Sequence, residues 1–153
     1  MKNKIKTGIV GTGKVSHLLT AALQQAESSE FTAICSRTMS KAQIFGEQYH
    51  VRPFSGIEQM VKQGGVEAVV IATPHPNHAS GAIEAMEAGA HVIVEKPMAS
   101  TLADCDAMLR VSEQTGKQLG LISQRRYYPP VQRVKAAIEF GKIGTPILGT
   151  VNM

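Results

Sequence analysis

Gly11 and Gly13 stand one residue apart, after an apolar run from Ile5 to Val10 and before an apolar helical pattern that starts near Lys14. A strand that turns through two glycines into a helix is suited to cradle a phosphate. Gly11 lets the chain turn sharply, and Gly13 has no Cβ to hold the backbone away from a pyrophosphate. The free N–H groups and positive dipole end of the helix then face the anion. The third position of this dinucleotide-binding fingerprint is Ser16, where Gly or Ala is usual for close packing of helix on strand.

Three further segments carry chemistry at strand ends. A ribose 2′-hydroxyl is usually held by an acidic residue about 20 positions beyond the glycines. Here the second strand ends in Cys35-Ser36-Arg37-Thr38, with Lys41 a turn later and no carboxylate. Arg37 offers a planar fork of donors to a phosphate monoester, Ser36 a hydroxyl and Lys41 a further charge, which favours NADP(H) over NAD(H). The plainer reading is a solvated basic loop. Thr73-Pro74-His75-Pro76-Asn77-His78 follows a central strand. Its two prolines hold the backbone extended, so the loop lies at the carboxyl edge of the sheet, where ligands of open α/β folds bind. His75 and His78 could titrate there, or simply cap a helix or face solvent. Glu95-Lys96-Pro97 ends the next strand. Lys96 could bond a hydroxyl or carbonyl oxygen and support the charge that develops in hydride transfer; otherwise Glu95 and Lys96 only solvate a strand end. Lys96–Pro97 is the peptide bond expected to be cis.

The elements that must position these residues alternate along the chain. Strands are predicted over 5–10, 31–35, 68–72, 91–95 and 119–123. Helices are predicted over 15–26, 40–49, 57–62, 78–88 and 101–116, the last opened by a Thr101-x-x-Asp104 capping box. The first helix sets Leu18, Leu19, Ala22 and Leu23 on one face. Such alternation specifies an α/β fold: a doubly wound, mainly parallel Rossmann-type sheet with helices on both faces. After Ser123 the alternation breaks at Gln124-Arg125-Arg126-Tyr127-Tyr128-Pro129-Pro130, followed by a helix over 131–140 and one strand over 146–152. A lone strand cannot satisfy its ladder in a domain of its own. Residues 1–123 therefore form a dinucleotide-binding domain. Residues 124–153 read as a linker, a helix and the first strand of a second domain that is essentially absent.

At 153 residues there is room for one well-packed domain and some extra chain. Cys35 and Cys105 form no Cys-x-x-Cys pair and read as reduced packing residues, which points to the cytoplasm. The N-terminus leads directly into the first strand, so no signal peptide is expected. No membrane span and no metal site are expected either. A formal net charge of +4, spread along the chain except at Arg125-Arg126, does not imply nucleic acid, and an anionic cofactor is enough to explain it.

Together these segments resemble the Gfo/Idh/MocA family of NAD(P)-dependent oxidoreductases, which act on sugars, inositols and related polyols. The matching residues are Gly11-Thr12-Gly13, Ala72-Thr73-Pro74 with His78, Glu95-Lys96-Pro97 and Gln124-Arg125-Arg126-Tyr127. The resemblance implies that the backbone from Thr12 through Lys14 to Val15 holds the pyrophosphate. It implies that Ala72, Thr73 and Pro74 line the nicotinamide half, and that Gln124 approaches the carboxamide. It makes Lys96, between nicotinamide and substrate, the catalytic residue, with Glu95, His75 and His78 about the cofactor. The family's catalytic histidine lies in a second domain, and none of the five histidines here lies beyond His91. The chain alone should therefore bind cofactor without turning substrate over, and its exposed terminal strand should favour a homo-oligomer. A stand-alone nucleotide-binding or sensor module, or a subunit that completes its site with another chain, are the other readings.

Overall fold

The structure, a computed structural model, describes residues 4–150. The chain divides into two compact units after Ile122. The first is built on six parallel strands in the order β3-β2-β1-β4-β5-β6. These are β1 (Ile5–Val10), β2 (Ser29–Cys35), β3 (Arg52–Phe54), β4 (Ala68–Ile71), β5 (His91–Val94) and β6 (Leu119–Leu121). Between them run α1 (Lys14–Gln25), α2 (Met39–Tyr49), α3 (Ile57–Gly64), α4 (His78–Ala88) and α5 (Leu102–Thr115).

Alternate residues of the central strands enter two cores. Ile9, Ile34 and Val70 pack with Ala42 and Phe45 of α2 and with Leu19 and Leu23 of α1. Their neighbours Val10, Cys35 and Ile71 face the larger core, which takes Ile57 and Met60 of α3, Ala82 and Met86 of α4, and Met108 of α5. Strands buried on both faces must be apolar throughout, which is why β4 and the second half of β1, Gly8 to Val10, are apolar without a break. In register, Ile93 continues the row of Val70, yet it is 41% exposed. The face covered by α1 and α2 is therefore left open beyond β4.

Two expectations need correction. Leu18 and Ala22 are exposed, Leu18 by 73%. The face that α1 buries carries Ser16 and Thr20, flanked by half-buried Leu19 and Leu23. Rows i, i+4 and i+3, i+7 lie side by side on a helix, and both satisfy its period. The small Ser16, fully buried, is what lets this part of the helix approach the sheet. The edge strand β3 carries no strand signal in the sequence, because Pro53 interrupts its apolar residues; at an edge the missing N–H is tolerated.

α5 opens as expected. Thr101 Oγ1 accepts from the Asp104 N–H at 3.1 Å and donates to Asp104 Oδ2 at 2.7 Å.

The second unit holds a 3-10 turn, Gln124–Tyr127, and α6 (Pro129–Glu139), whose two leading prolines suit a first turn that has no N–H partners to lose. The expected strand over 146–152 is not found at 146–150, and 151 and 152 lie outside the described residues. Strand structure exists through pairing, and among the described residues this unit supplies no partner strand.

Candidate functional site

Strand order reverses between β1 and β4, the point at which an open parallel sheet leaves a crevice at its carboxyl edge. A cavity of about 900 Å3 lies there, lined by the residues that follow each of the first four strands. From the turn after β1 come Gly11, Thr12, Gly13, Lys14 and Val15, and from the end of β2 come Ser36, Arg37 and, on α2, Lys41. Ala72, Thr73 and Pro74 come from the loop after β4.

The two glycines are required for different reasons. Gly11 has φ +114, and a Cβ built on it would lie 2.6 Å from the Ala72 carbonyl oxygen. Its N–H donates to the Cys35 carbonyl at 2.8 Å, so the turn is fastened to β2 on one side and pressed against β4 on the other. Gly13 has an ordinary φ of −81, and a Cβ there would meet no protein atom within 4 Å. Nothing in the fold requires a glycine at 13; the space beside it is free for a ligand. No side chain caps α1, so its first turn keeps backbone donors for an anion. Thr73 Oγ1 is buried at the same cavity with no hydrogen-bond partner in the protein. An open cradle beside Gly13, an uncapped helix start and an unpartnered hydroxyl fit a phosphorylated, hydroxyl-rich cofactor.

The charge of the cavity is one-sided. Lys14, Arg37 and Lys41 line it, and no ion pair among the described residues neutralises them. Ser36 Oγ accepts from the Thr38 N–H at 3.4 Å, so its own proton is free to be donated. The one carboxylate among the lining residues is Glu84 of α4, whose Oε1 accepts from the Glu58 N–H at 3.2 Å. Cys35 also lines the cavity; burial pushes its thiol up to about 12, with a smaller contribution from the Glu84 charge. The thiol is thus neutral and unreactive at physiological pH.

The loops after β4 and β5 are brought side by side by the register of Ile71 with Val94. His75 and Lys96 are exposed and Glu95 is half-buried; none of the three lines the cavity. Glu95 Oε2 accepts from the Lys96 N–H at 3.1 Å, and the Lys96–Pro97 peptide is cis, as the sequence suggests. His78, which the family resemblance sets about the cofactor, is fully buried. Nδ1 lies 2.7 Å from the Pro97 carbonyl oxygen and Nε2 lies 2.9 Å from that of Thr73. Its polar atoms face backbone instead of the cavity. Gln124 belongs to the 3-10 turn of the second unit.

Sequence reasoning missed Ser55 and Gly56 after β3, and Ser80, Gly81 and Glu84 on α4. The first pair follows from the unrecognised edge strand. The others lie one to two turns into α4, where its periodicity marks them only as helix. His17 was missed too; it lines the cavity and its Nδ1 is 2.7 Å from the Tyr49 hydroxyl.

The profile of an oxidoreductase family with an NAD-binding Rossmann fold, Gfo/Idh/MocA, matches residues 5–123. Inositol 2-dehydrogenase of Salmonella typhimurium is 30% identical over 148 residues, a span that covers 94% of this chain and 44% of that protein. The WlbA dehydrogenase from Bordetella pertussis, solved with NADH and UDP-GlcNAcA, superposes with a TM-score of 0.89 at 36% identity, over 94% of this chain and 42% of that one. A 3-ketoreductase from Actinomadura kijaniata, solved with NADP and TDP-benzene, superposes with a TM-score of 0.82 at 26% identity, over 91% and 43%. The chain thus spans less than half the length of the relatives it matches. With the profile extending from the first residue of β1 past the end of β6, and with a glycine turn and switch-point cavity between them, this chain belongs to the Gfo/Idh/MocA oxidoreductase family.

Proposed function

We propose that this chain binds a nicotinamide dinucleotide at the switch-point cavity, NADP(H) in preference to NAD(H), as the cofactor-binding part of an oxidoreductase of sugars, inositols or related polyols. The observation that carries the reading is the cavity itself. It joins the Gly11–Gly13 turn to Ser36, Arg37 and Lys41 at the end of β2, with no acid at that strand end. A ribose 2′-hydroxyl needs an acceptor there and a 2′-phosphate needs donors; the residues present are donors. Relatives have been solved with NADH and with NADP, so family membership leaves the choice to these side chains.

When bound, the nicotinamide ring supplies the hydride acceptor or donor. The backbone from Thr12 to Val15 holds the pyrophosphate, and Thr73 with Pro74 lies along the nicotinamide half. Lys96, exposed on the turn after β5, is the catalytic residue that holds the reacting oxygen and eases its change of charge. His75 and Glu95 belong to the turns after β4 and β5, at the same sheet edge. Residues 1–123 act as the dinucleotide domain. The segment from 124 to 153 acts as a linker and helix leading toward the substrate-binding part. We place the protein in the cytoplasm as a homo-oligomer. Ile147 at 97% exposure and Leu148 at 86% are apolar side chains that association would cover.

Titration of the full chain with NADPH and with NADH tests the reading. NADPH should bind about tenfold or more tightly. Equal affinities would refute the preference, and binding of neither would refute the dinucleotide site.

A further inference from the structure

The cavity carries its cations and its carboxylate on different elements. Lys14 opens α1, Arg37 and Lys41 follow β2, and the carboxylate is that of Glu84, about two turns into α4. A phosphate is drawn to the cations and repelled by the carboxylate. The part of a bound dinucleotide that meets Glu84 is therefore uncharged and offers a hydrogen-bond donor.

Although α4 follows β4, the Glu84 side chain reaches toward the other flank of β1. Oε1 accepts from the Glu58 N–H at 3.2 Å, on the first turn of α3, which follows β3. Its charge also helps to hold the proton on the thiol of Cys35, the last residue of β2. The carboxylate thus lies on the same side of the switch point as Arg37. The nicotinamide half is assigned above to Thr73 and Pro74 after β4, and the 2′-phosphate of the adenosine to the end of β2. What comes to Glu84 therefore belongs to the adenosine half.

The lining around this carboxylate suits a base. Cys35, Gly56, Ile57 and Gly81 share the cavity wall there. The two glycines present backbone without a side chain, and Ile57 and the neutral thiol are apolar, so a flat ring can rest against them. Oε1 is occupied, whereas among the described residues Oε2 accepts no hydrogen bond and Glu84 joins no ion pair. In NADP(H) the ribose 2′-oxygen is esterified, and its phosphate keeps the ribose beside Arg37. The donor left for Oε2 is the exocyclic amine of adenine. We propose that Glu84 is a specificity-determining residue for the base: its Oε2 accepts from that amine, and the site rejects a base with a carbonyl in its place. This role rests on the dinucleotide reading above.

Calorimetric titration of the full chain with NADPH, and with the analogue that carries hypoxanthine in place of adenine, tests the assignment. The unsubstituted chain should bind NADPH about tenfold or more tightly, because the hypoxanthine carbonyl would face the carboxylate. Glu84→Gln keeps an acceptor for the Glu58 N–H and sets a good helix former at an exposed position. Its amide can donate to the carbonyl, so NADPH should weaken by about tenfold and the analogue by no more than about twofold. The ratio of the two affinities, taken on one protein, does not depend on how much of that protein is folded. Equal affinities in the unsubstituted chain would overturn the assignment and leave the dinucleotide site standing. Unchanged NADPH affinity in Glu84→Gln, or equal loss of both ligands, would also overturn it. Were the unsubstituted chain to bind neither ligand, the dinucleotide reading would fall and the role of Glu84 with it.

Discussion

Gly11 and Gly13 look alike in the sequence, yet the structure predicts opposite failures when each gains a side chain. Gly11→Ala places an alanine at φ +114, a strained backbone region that costs about 1–3 kcal/mol. Its Cβ would lie 2.6 Å from the Ala72 carbonyl oxygen, so the end of β4 has to move, at about 1–3 kcal/mol more. The sum, about 2–6 kcal/mol, is a large share of the roughly 5–15 kcal/mol that holds a domain folded. At about 2–4 °C per kcal/mol for a chain of this size, the melting temperature should fall by about 5–20 °C. Gly13→Val has an ordinary φ of −81 and open space around its Cβ. Losing glycine at this N-cap position costs about 1 kcal/mol or less, a fall of at most about 4 °C. The valine carbons instead fill the space where a pyrophosphate must approach, so NADPH affinity should drop at least about tenfold, or 1.4 kcal/mol. Thermal melts followed by circular dichroism and calorimetric titration with NADPH separate the two effects. A Gly11→Ala protein that melts with the unsubstituted chain, or a Gly13→Val protein that binds NADPH unimpaired, would refute the reasoning.

Arg37→Ala should remove about 1.5–3 kcal/mol of NADPH binding, roughly ten- to hundredfold, and leave NADH unchanged in the same titration; a parallel loss for both would show that Arg37 does not read the 2′-phosphate. The raised Cys35 thiol makes stability depend on alkaline pH. Below its ordinary value of 9.0 folded and unfolded chains both keep the proton, and between 9.0 and about 12 only the unfolded chain releases it. Stability should therefore fall with rising pH across that window by up to about 1.4 kcal/mol per unit. Urea denaturation of Cys35→Ala should lack this slope, and identical slopes would count against it. Thr101→Ala removes the acceptor of the Asp104 N–H and the donor to its carboxylate. It should cost about 1 kcal/mol, or 2–4 °C in melting temperature, which Thr101→Ser retains; an alanine variant that melts unchanged would refute the cap's contribution.

Strands buried on both faces were legible because such burial leaves little choice of residue: Ala68 to Ile71 and Gly8 to Val10 are apolar without a break. Helix ends at Gly65, Gly89 and Gly116 were legible for a similar reason, since each glycine adopts the positive φ that stops a helix. α2 stops without that signal, at His50 with φ 57. The inward face of α1 could not be read, because apolar period alone does not separate the Leu19–Leu23 row from the Leu18–Ala22 row. The length of β3 is set by its neighbour β2, with Ala33, Ile34 and Cys35 pairing to Arg52, Pro53 and Phe54. No local propensity in those three residues announces it.

The site divides along the same line. Residues whose backbone must do something unusual, such as Gly11, or whose charge has no ion-pair partner among the described residues, such as Arg37 and Lys41, stand out by type and position. His78 does not, because its role depends on what the neighbouring strand ends leave unpaired. The ladder between β4 and β5 closes with the Glu95 N–H on the Ile71 carbonyl. Beyond it the carbonyls of Thr73 and Pro97 have no strand to accept from. Five residues beyond Thr73, on the first turn of α4, the two ring nitrogens of His78 lie 2.7 Å and 2.9 Å from these carbonyl oxygens. A histidine that the family resemblance sets beside the cofactor thus turns both ring nitrogens toward backbone carbonyls. It reaches the site only through the two loops it holds together.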